Sequence, residues 1–510
     1  LWVALGAIFL WRCLFSAWAN LIPDECSYWA WSRRLDWSYF DNSGMVAYLI
    51  RLSTALFGGS TPLSVRFPFL VLSGFTTYLI YRSSRILFGD SRRSLLVAVL
   101  FNLTPVALLG GSAAMHDNAL MFFWSLAFWA AARLLASADG RWFYVIGIAA
   151  GLAIQSKYTG VLVLPCVLLF LLWNPNLRAR LLTREPLIGA SIAVALTLPI
   201  VWWNVTHDWA SLYHVLFIGS GSPSLWKRIG DGLGYHAAQF GLVSPIFCAG
   251  LYCALGWAFL RNVRRPNPGE TLLLSFSVPL ALFGILAFKG HVEANWAFMG
   301  YLSAGILAVE AIFGGKVDGQ RLPWKWFGRR SVPWALGLAV GPVFLVVVHA
   351  WVGLLPAGLE KKIVKADRII WETRGWAGLG RQVGSLRTST DVLAADSYQL
   401  CALLEFNVPG QPFARYLAPW KRPTQFDVWH PSFDDLKGRD ILYVSPIPLE
   451  PSSAARTTIY ENFARIEPLE PYRVMYHGVP IRDVYLYRCS AFDPLTPRRL
   501  GPRSLRYREE

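Results

Sequence analysis

The chain opens LWVALGAIFLWRCLFSAWANLIPDE (residues 1–25). A bilayer-crossing helix needs about 20 mostly apolar residues, and residues 1–19 supply one. The run ends on Pro23-Asp24-Glu25, an acidic pair at the span's exit. Charge beside a membrane interior is costly, so its position carries information. The same alternation of apolar run and polar turn continues downstream. Further runs at 63–81, 94–112, 117–135, 142–156, 159–173, 187–203, 240–260, 270–288, 296–314 and 331–354 make eleven expected spans. Two of them, 142–156 and 159–173, are short and close together.

Composition agrees. Of 510 residues, 54% are hydrophobic types and 16% charged, too few polar groups to clothe a soluble protein of this length. A soluble enzyme, a disordered chain and a coiled coil are excluded. The formal charge is +16. Cytoplasmic loops of membrane proteins concentrate Lys and Arg. With the N-terminus inside, seventeen such residues between Arg82 and Arg330 fall on inner loops and seven, among them Lys157, Lys227, Arg228 and Lys289, on outer ones. The basic balance is topology, and no nucleic acid is expected. An odd span count places 356–510 outside. That stretch changes character, with clustered prolines, strand-like runs at 440–445 and 484–488 and a helix-like run at 396–406. The expected organisation is an all-α polytopic membrane bundle over 1–355, with a first outer loop at 20–62, followed by a small α/β extracytoplasmic domain over 356–510.

Seven cysteines are scattered, with no CxxC or zinc spacing; the odd count argues against a disulfide framework, leaving one pairing to consider, Cys401 with Cys489. No signal peptide is visible, and the chain starts at Leu1 without an initiator methionine, so a few upstream residues are expected.

The polar residues collect on the outer side: Asp24-Glu25, Asp36 and Asp41 in the first loop, His116-Asp117-Asn118 in the next turn, Lys157, and Lys289-Gly-His291-Val-Glu293-Ala-Asn295. They could line one cavity at the outer face. Each also has a plainer reading. Asp24-Glu25 and Asp117 could cap helices, and Lys157 could be an interfacial lysine reaching for water. Tyr28, Trp29, Trp31, Trp37, Tyr39 and Phe40 suit a helix lying at the membrane interface, or a groove for a lipid chain or sugar. The 289–295 turn is denser in polar groups than a hairpin needs. No Walker A, Rossmann, nucleophile-elbow or HExxH motif is present, and no DxD is placed for a nucleotide-sugar and its metal. A transferase with an outward site, away from nucleotide pools, would draw on a lipid-linked donor.

The stretch Asp24-Glu-Cys-Ser-Tyr-Trp-Ala-Trp-Ser-Arg-Arg-Leu-Asp-Trp-Ser-Tyr-Phe-Asp41 resembles the first outer loop of bacterial lipid-linked sugar transferases, the protein O-mannosyltransferase and aminoarabinose-transferase superfamily of GT-C fold. Ser156-Lys-Tyr-Thr159, His291-Val-Glu-Ala-Asn-Trp296, Arg374-Gly-Trp376 and Asp396-Ser-Tyr-Gln399 resemble its bacterial branch, and the similarity runs from about residue 20 to about 445. The resemblance implies inverting transfer of a sugar from an undecaprenyl-phosphate carrier, with Asp24 as general base, Glu25 its companion and Asp117 a second outer acid. Two departures stand out. His116-Asp117 replaces the usual Pro-Asp. Asn42-Ser-Gly44 follows Asp41 where branch members often have His-Pro-Pro, which removes a metal or phosphate contact.

Such chemistry needs a carboxylate to take the acceptor's proton, and a low local dielectric raises its pKa toward usefulness. Cations must meet the leaving phosphate. Lys157 and Lys289 are the candidates, with Lys227 and Arg228 in reserve. Glu293 and Asn295 suit sugar hydroxyls, and Tyr28 and Asn42 complete the binding set. No cofactor is demanded, although Asp41, His116 and His291 could hold a divalent metal. The favoured acceptor is lipid A or another part of lipopolysaccharide. The alternatives are protein Ser/Thr, a secondary transporter or flippase, and an envelope subunit with a sensing domain.

Overall fold

A computed structural model describes residues 1–217, 224–313, 316–317, 320–321, 325–352, 372–417, 423–449, 461–476 and 479–493. The chain forms two compact units, one of Leu1–Trp18, Asn42–Trp202 and Leu216–Leu345, the other of Ala19–Asp41, Trp203–Val215 and Val346–Glu510.

The first unit is helical. Each of the eleven apolar runs is helix over the described residues, but the helices are unequal. Six are long and apolar enough to cross a membrane, or eight when two helix pairs separated by a bend each count as one span. Trp142–Ser156 and Gly300–Phe313 are short apolar helices. The breaks have local causes. The 94–112 run divides into Ser91–Asn102 and Pro105–Gly110, where Pro105 takes a first-turn position because its missing N–H is tolerated there. Pro279 likewise opens Val278–Leu286 after Pro268–Phe276. Arg12 lies buried in Trp2–Trp18 and donates to Asn102 Oδ1 at 2.8 Å, to Ser73 and to the Ala107 carbonyl. The buried guanidinium thereby finds acceptors on neighbouring helices, the Ala107 carbonyl also accepting from the Gly111 N–H.

The stretch 204–239, expected as a loop, holds helices instead. Ala210–Phe217 and Leu225–Val243 occupy it. Glycines at 230, 232, 234 and 241 dilute the apolar signal, yet Gly232, Tyr235, Gln239 and Val243 recur at helical spacing and are buried, as one face of an amphipathic helix should be.

The core of this unit gathers around His116–Ser137, where Trp124 and Phe128 meet the Phe276 ring edge-on at 5.5 and 5.1 Å. Trp142–Ser156 crosses Arg184–Thr206 at backbone contact. A Cβ on Gly147 would lie 2.1 Å from the Gly189 carbonyl oxygen, and one on Gly189 would lie 2.4 Å from that of Phe143. Small residues allow such close crossings.

In the second unit a parallel β-α-β crossover starts the sheet. Val392–Ala395 leads through helix Tyr398–Asn407 to Ala414–Tyr416. Ile441–Ser445 adds in parallel on the other side, and Val479–Phe492 follows antiparallel. Phe463–Pro468 and Tyr472–Tyr476 both pair with that last strand. Trp376–Leu386 and Tyr398–Asn407 supply helices. The Cys401–Cys489 bridge does not form; all seven cysteines are free. Cys401 Sγ faces the Arg415 carbonyl at 3.3 Å, whereas Cys489 sits two strands beyond Val392–Ala395, roughly 9–10 Å at about 4.8 Å per strand and past disulfide reach.

The Gly147–Gly189 crossing makes a prediction. Gly147→Leu should destabilise the chain by about 1–3 kcal/mol through overpacking, read as a lower Tm of the detergent-solubilised protein. A Tm equal to that of the parent would show that the crossing is not tight.

Candidate active site

In the first unit the candidate residues converge on Asp117. It is the second residue of His116–Ser137, whose N-cap is Met115, so the carboxylate is not used as the cap. Its Oδ1 accepts from Lys157 Nζ at 2.8 Å and its Oδ2 from Asn295 Nδ2 at 3.1 Å. Lys157 follows Trp142–Ser156 in an extended conformation, and its side chain is only 12% exposed. The snorkelling reading fails: the ammonium turns inward to a carboxylate. His116 is buried and bonds the Ser156 carbonyl through Nδ1 at 2.9 Å. Asn118 Nδ2 donates to the Gly110 and Gly111 carbonyls at 3.3 and 3.2 Å, closing the preceding turn. Behind Asn295, buried Gln239 donates to the Ala294 carbonyl and accepts from the Tyr301 hydroxyl, both at 2.9 Å.

Other candidates of this unit stay apart from that hub. His291 Nε2 meets Glu293 Oε1 at 2.9 Å in an exposed pair, and Lys289 is exposed. Asn42 Oδ1 accepts from the Ser43 N–H at 3.0 Å just before Met45–Leu56.

The second unit holds Asp24, Glu25, Tyr28 and Asp41. Pro23 starts the helix Pro23–Arg33, so Asp24 and Glu25 fall in its first turn. Glu25 Oε2 accepts from the Ile22 N–H at 3.1 Å, and the plain capping reading holds for this buried residue. Asp24 is half-buried and accepts at Oδ1 from Gln399 Nε2 at 3.2 Å. Tyr28, one turn on, meets Trp31 edge-on at 5.2 Å. Asp41 Oδ1 lies 3.5 Å from His214 Nε2. The loop aromatics do not form an interfacial belt: Trp29, Trp31, Tyr39 and Phe40 are buried, and Trp37 alone of the six is exposed. Their apolar mass fixes the loop. Trp31 stacks on Tyr39 at 4.4 Å, and Trp29 meets Phe406 edge-on at 5.0 Å.

The far end of the same helix is clamped. Arg33 and Arg34 reach Glu405 at 3.1 and 3.2 Å, and the Glu405 side chain has no exposure. Burial pushes the Glu405 carboxyl up, while both guanidinium groups pull it back. Arg33 and Arg34 also lie over Phe413 at 4.1 and 4.0 Å, and Arg34 over Trp429 at 4.3 Å, a favourable cation–π geometry. Next to Trp429, burial pushes the His430 imidazole down to about 4, with Arg415 and Arg34 acting the same way.

Among the described residues, no three His, Cys, Asp or Glu side chains cluster as a metal site. Of the three residues expected to suit a divalent metal, His291 pairs with Glu293, Asp41 lies 3.5 Å from His214, and His116 bonds the Ser156 carbonyl through Nδ1.

Residues 41–203 match the family model described as dolichyl-phosphate-mannose-protein mannosyltransferase. The lipid A galacturonosyltransferase RgtD of Rhizobium johnstonii is 29% identical over 80% of this chain and 82% of its own length. The undecaprenyl phosphate-alpha-4-amino-4-deoxy-L-arabinose arabinosyl transferase 1 of Pseudomonas fluorescens is 26% identical over 54% of this chain and 52% of its own. The crystal structure of ArnT from Cupriavidus metallidurans bound to undecaprenyl phosphate superimposes with a TM-score of 0.60 at 14% identity, covering 95% of this chain and 97% of that one. The chain has the fold of ArnT.

Sequence reasoning missed Gln239, His214, Gln399 and Glu405 as site partners. Gln399 lay within a motif already singled out by resemblance. The other three carried no local signal, because their roles come from pairing across more than fifty residues.

The His430 environment predicts a pH dependence. The native imidazole titrates near 4 and an ordinary one near 6.5, so the unfolded chain binds more protons between those values. Stability should fall as pH drops through that window. His430→Gln should flatten the fall in a Tm-against-pH series on the purified chain; an unaltered slope would assign the acid sensitivity elsewhere.

Proposed function

We propose that this glycosyltransferase moves one sugar from an undecaprenyl-phosphate carrier to lipid A or another part of lipopolysaccharide, at the periplasmic face of the bacterial inner membrane. The observation that carries this reading is the likeness to the Rhizobium lipid A galacturonosyltransferase over four-fifths of both chains, joined to the ArnT fold. A galacturonosyl group is the favoured sugar on the same ground. The outer face follows from the loop charges, and the α/β unit stands with it as extracytoplasmic.

The reaction is an in-line displacement with inversion. The acceptor oxygen bonds the anomeric carbon, the bond from that carbon to the phosphate oxygen breaks, and the polyprenyl phosphate leaves with the electron pair. We assign the acceptor's proton to Asp24, whose helix position and hydrogen bond to Gln399 hold the carboxylate in one orientation. General-base catalysis of this type contributes about 10²–10⁴-fold. Lys157 is already neutralised by Asp117, so the two together form a rigid support, with Asn295 as its third member. The cationic role at the leaving phosphate passes to exposed Lys289, with Lys227 and Arg228, also exposed, in reserve. Tyr28, Asp41, Asn42, His116, His291 and Glu293 remain as binding residues around donor and acceptor.

A protein acceptor is the second reading, favoured by the description of the family model over 41–203. Mass spectrometry of lipid A from cells lacking the gene separates the two. A uronic-acid mass lost in the null strain, restored by the intact chain and not by Asp24→Asn, is the expected result, with transfer lowered at least about 100-fold at normal protein level. An unchanged lipid A profile, with a sugar lost from an envelope protein instead, would move the acceptor to protein. Asp117→Asn should act differently. It removes the counter-charge of Lys157, and the chain should accumulate poorly, because one member of a largely buried pair is left uncompensated.

A further inference from the structure

Helix Pro23–Arg33 and helix Tyr398–Asn407 touch at both ends. Asp24, in the first turn of one, meets Gln399, in the first turn of the other. Arg33 and Arg34, at the end of the first, meet Glu405, near the end of the second. The helices therefore run parallel, with Trp29 against Phe406 between the polar contacts. Tyr398–Asn407 is the crossover helix of the sheet, so its place is set by the most regular part of the second unit.

The two ends do different work. Glu405 is buried and takes both arginines, and it accepts in addition from the Ala414 N–H at 3.0 Å. This end fixes the register of the helix pair. Gln399 is half-buried and does not fill a core. Its amide is a neutral donor aimed at a carboxylate, and a carboxylate accepts while it is ionised.

We propose that Gln399 is a positioning residue for the reaction: by donating to Asp24 Oδ1 it helps hold the carboxylate in the orientation that receives the acceptor's proton. The crossover helix of the C-terminal α/β fold is then part of the catalytic machinery and not only a module for acceptor choice. The inference rests on the reading of Asp24 as base.

The test compares Gln399→Met and Gln399→Glu with Asp24→Asn in the full chain. Q399M keeps length and removes the donor. Q399E keeps shape and offers only acceptor oxygens until protonated. Transfer is followed in membranes containing the cell's own donor and acceptor, across pH 4–8 (a range of about four units, from ordinary carboxyl titration through that of imidazole). Binding is followed separately, as the rise in Tm of the purified chain with undecaprenyl phosphate. The expected result is transfer lowered about ten-fold or more in Q399M, as misplacement of a reacting group produces, with the undecaprenyl-phosphate shift unchanged. Q399E should be worse at neutral pH and recover as pH falls, because the new carboxyl, once protonated, can donate to Asp24. If Q399M does not accumulate, the pH response of Q399E decides alone: recovery supports the proposal, and a flat deficit overturns it. Wild-type transfer in both Gln399 variants beside an inactive Asp24→Asn overturns the positioning role and leaves the base assignment standing. Transfer retained in Asp24→Asn overturns the base itself.

Discussion

A charge withdrawn from water must find a counter-charge or hydrogen-bond partners, and the polar architecture of this chain follows from that requirement. With 16% charged residues in a largely apolar chain, several buried ionic groups among the described residues find partners far along the chain. Glu405 has Arg33 and Arg34, Asp117 has Lys157, and Arg12, with no counter-ion, has the neutral acceptors Asn102 and the Ala107 carbonyl. Such contacts give little net stability, because desolvation offsets the attraction, but losing one member is expensive. They consequently specify where segments go more than how tightly they are held. Asp117 is itself one of these fixed points, and Asp24 stands on the helix whose far end the Glu405 clamp holds.

The two acids of the Asp24-Glu25 pair illustrate how position on one helix turn divides labour. Glu25 is turned back to the Ile22 N–H and is buried, so one of its oxygens satisfies backbone. Asp24, one residue earlier, is half-buried and bonded to a side chain. Its Oδ1 accepts from the neutral Gln399 amide, and an ionised carboxylate offers several acceptor sites over its two oxygens. The distinction is geometric: successive residues on a helix point about 100° apart.

Much of this was legible in advance. The eleven apolar runs are helices because long apolar stretches have few other ways to satisfy their backbone. The alternating runs at 440–445 and 484–488 are strands, Ile441–Ser445 and part of Val479–Phe492. The outer polar segments were legible too, since polar groups at span ends stand out against an apolar background. The illegible part has one physical character. Leu225–Val243 was hidden because glycine lowers the apolar signal while leaving the buried face intact. Gln239, His214 and Glu405 were hidden because neutral or common residues acquire meaning only from a partner far along the chain. The first-loop aromatics misled for a related reason. Trp and Tyr suit a membrane interface and a small core equally, and only the fold shows that Trp29, Trp31 and Tyr39 went to the core.

The departure at Asn42-Ser43-Gly44 closes the argument about specificity. Asn42 turns its Oδ1 onto the Ser43 N–H, and Ser43 Oγ donates to the Ile154 carbonyl at 3.0 Å. A Cβ on Gly44 would lie 2.7 Å from the Tyr48 ring and hydroxyl. The proline that branch members carry here cannot enter without displacing Tyr48, so Gly44 and Tyr48 form one packing solution. Tyr48 thereby takes the space beside the chain where the bulkier motif would stand. A loop that has given up two prolines and a histidine for a self-bonded Asn-Ser turn presents different groups next to Asp41. Within a fold shared with ArnT, this local exchange of side chains is one place where a difference in donor or acceptor choice can arise.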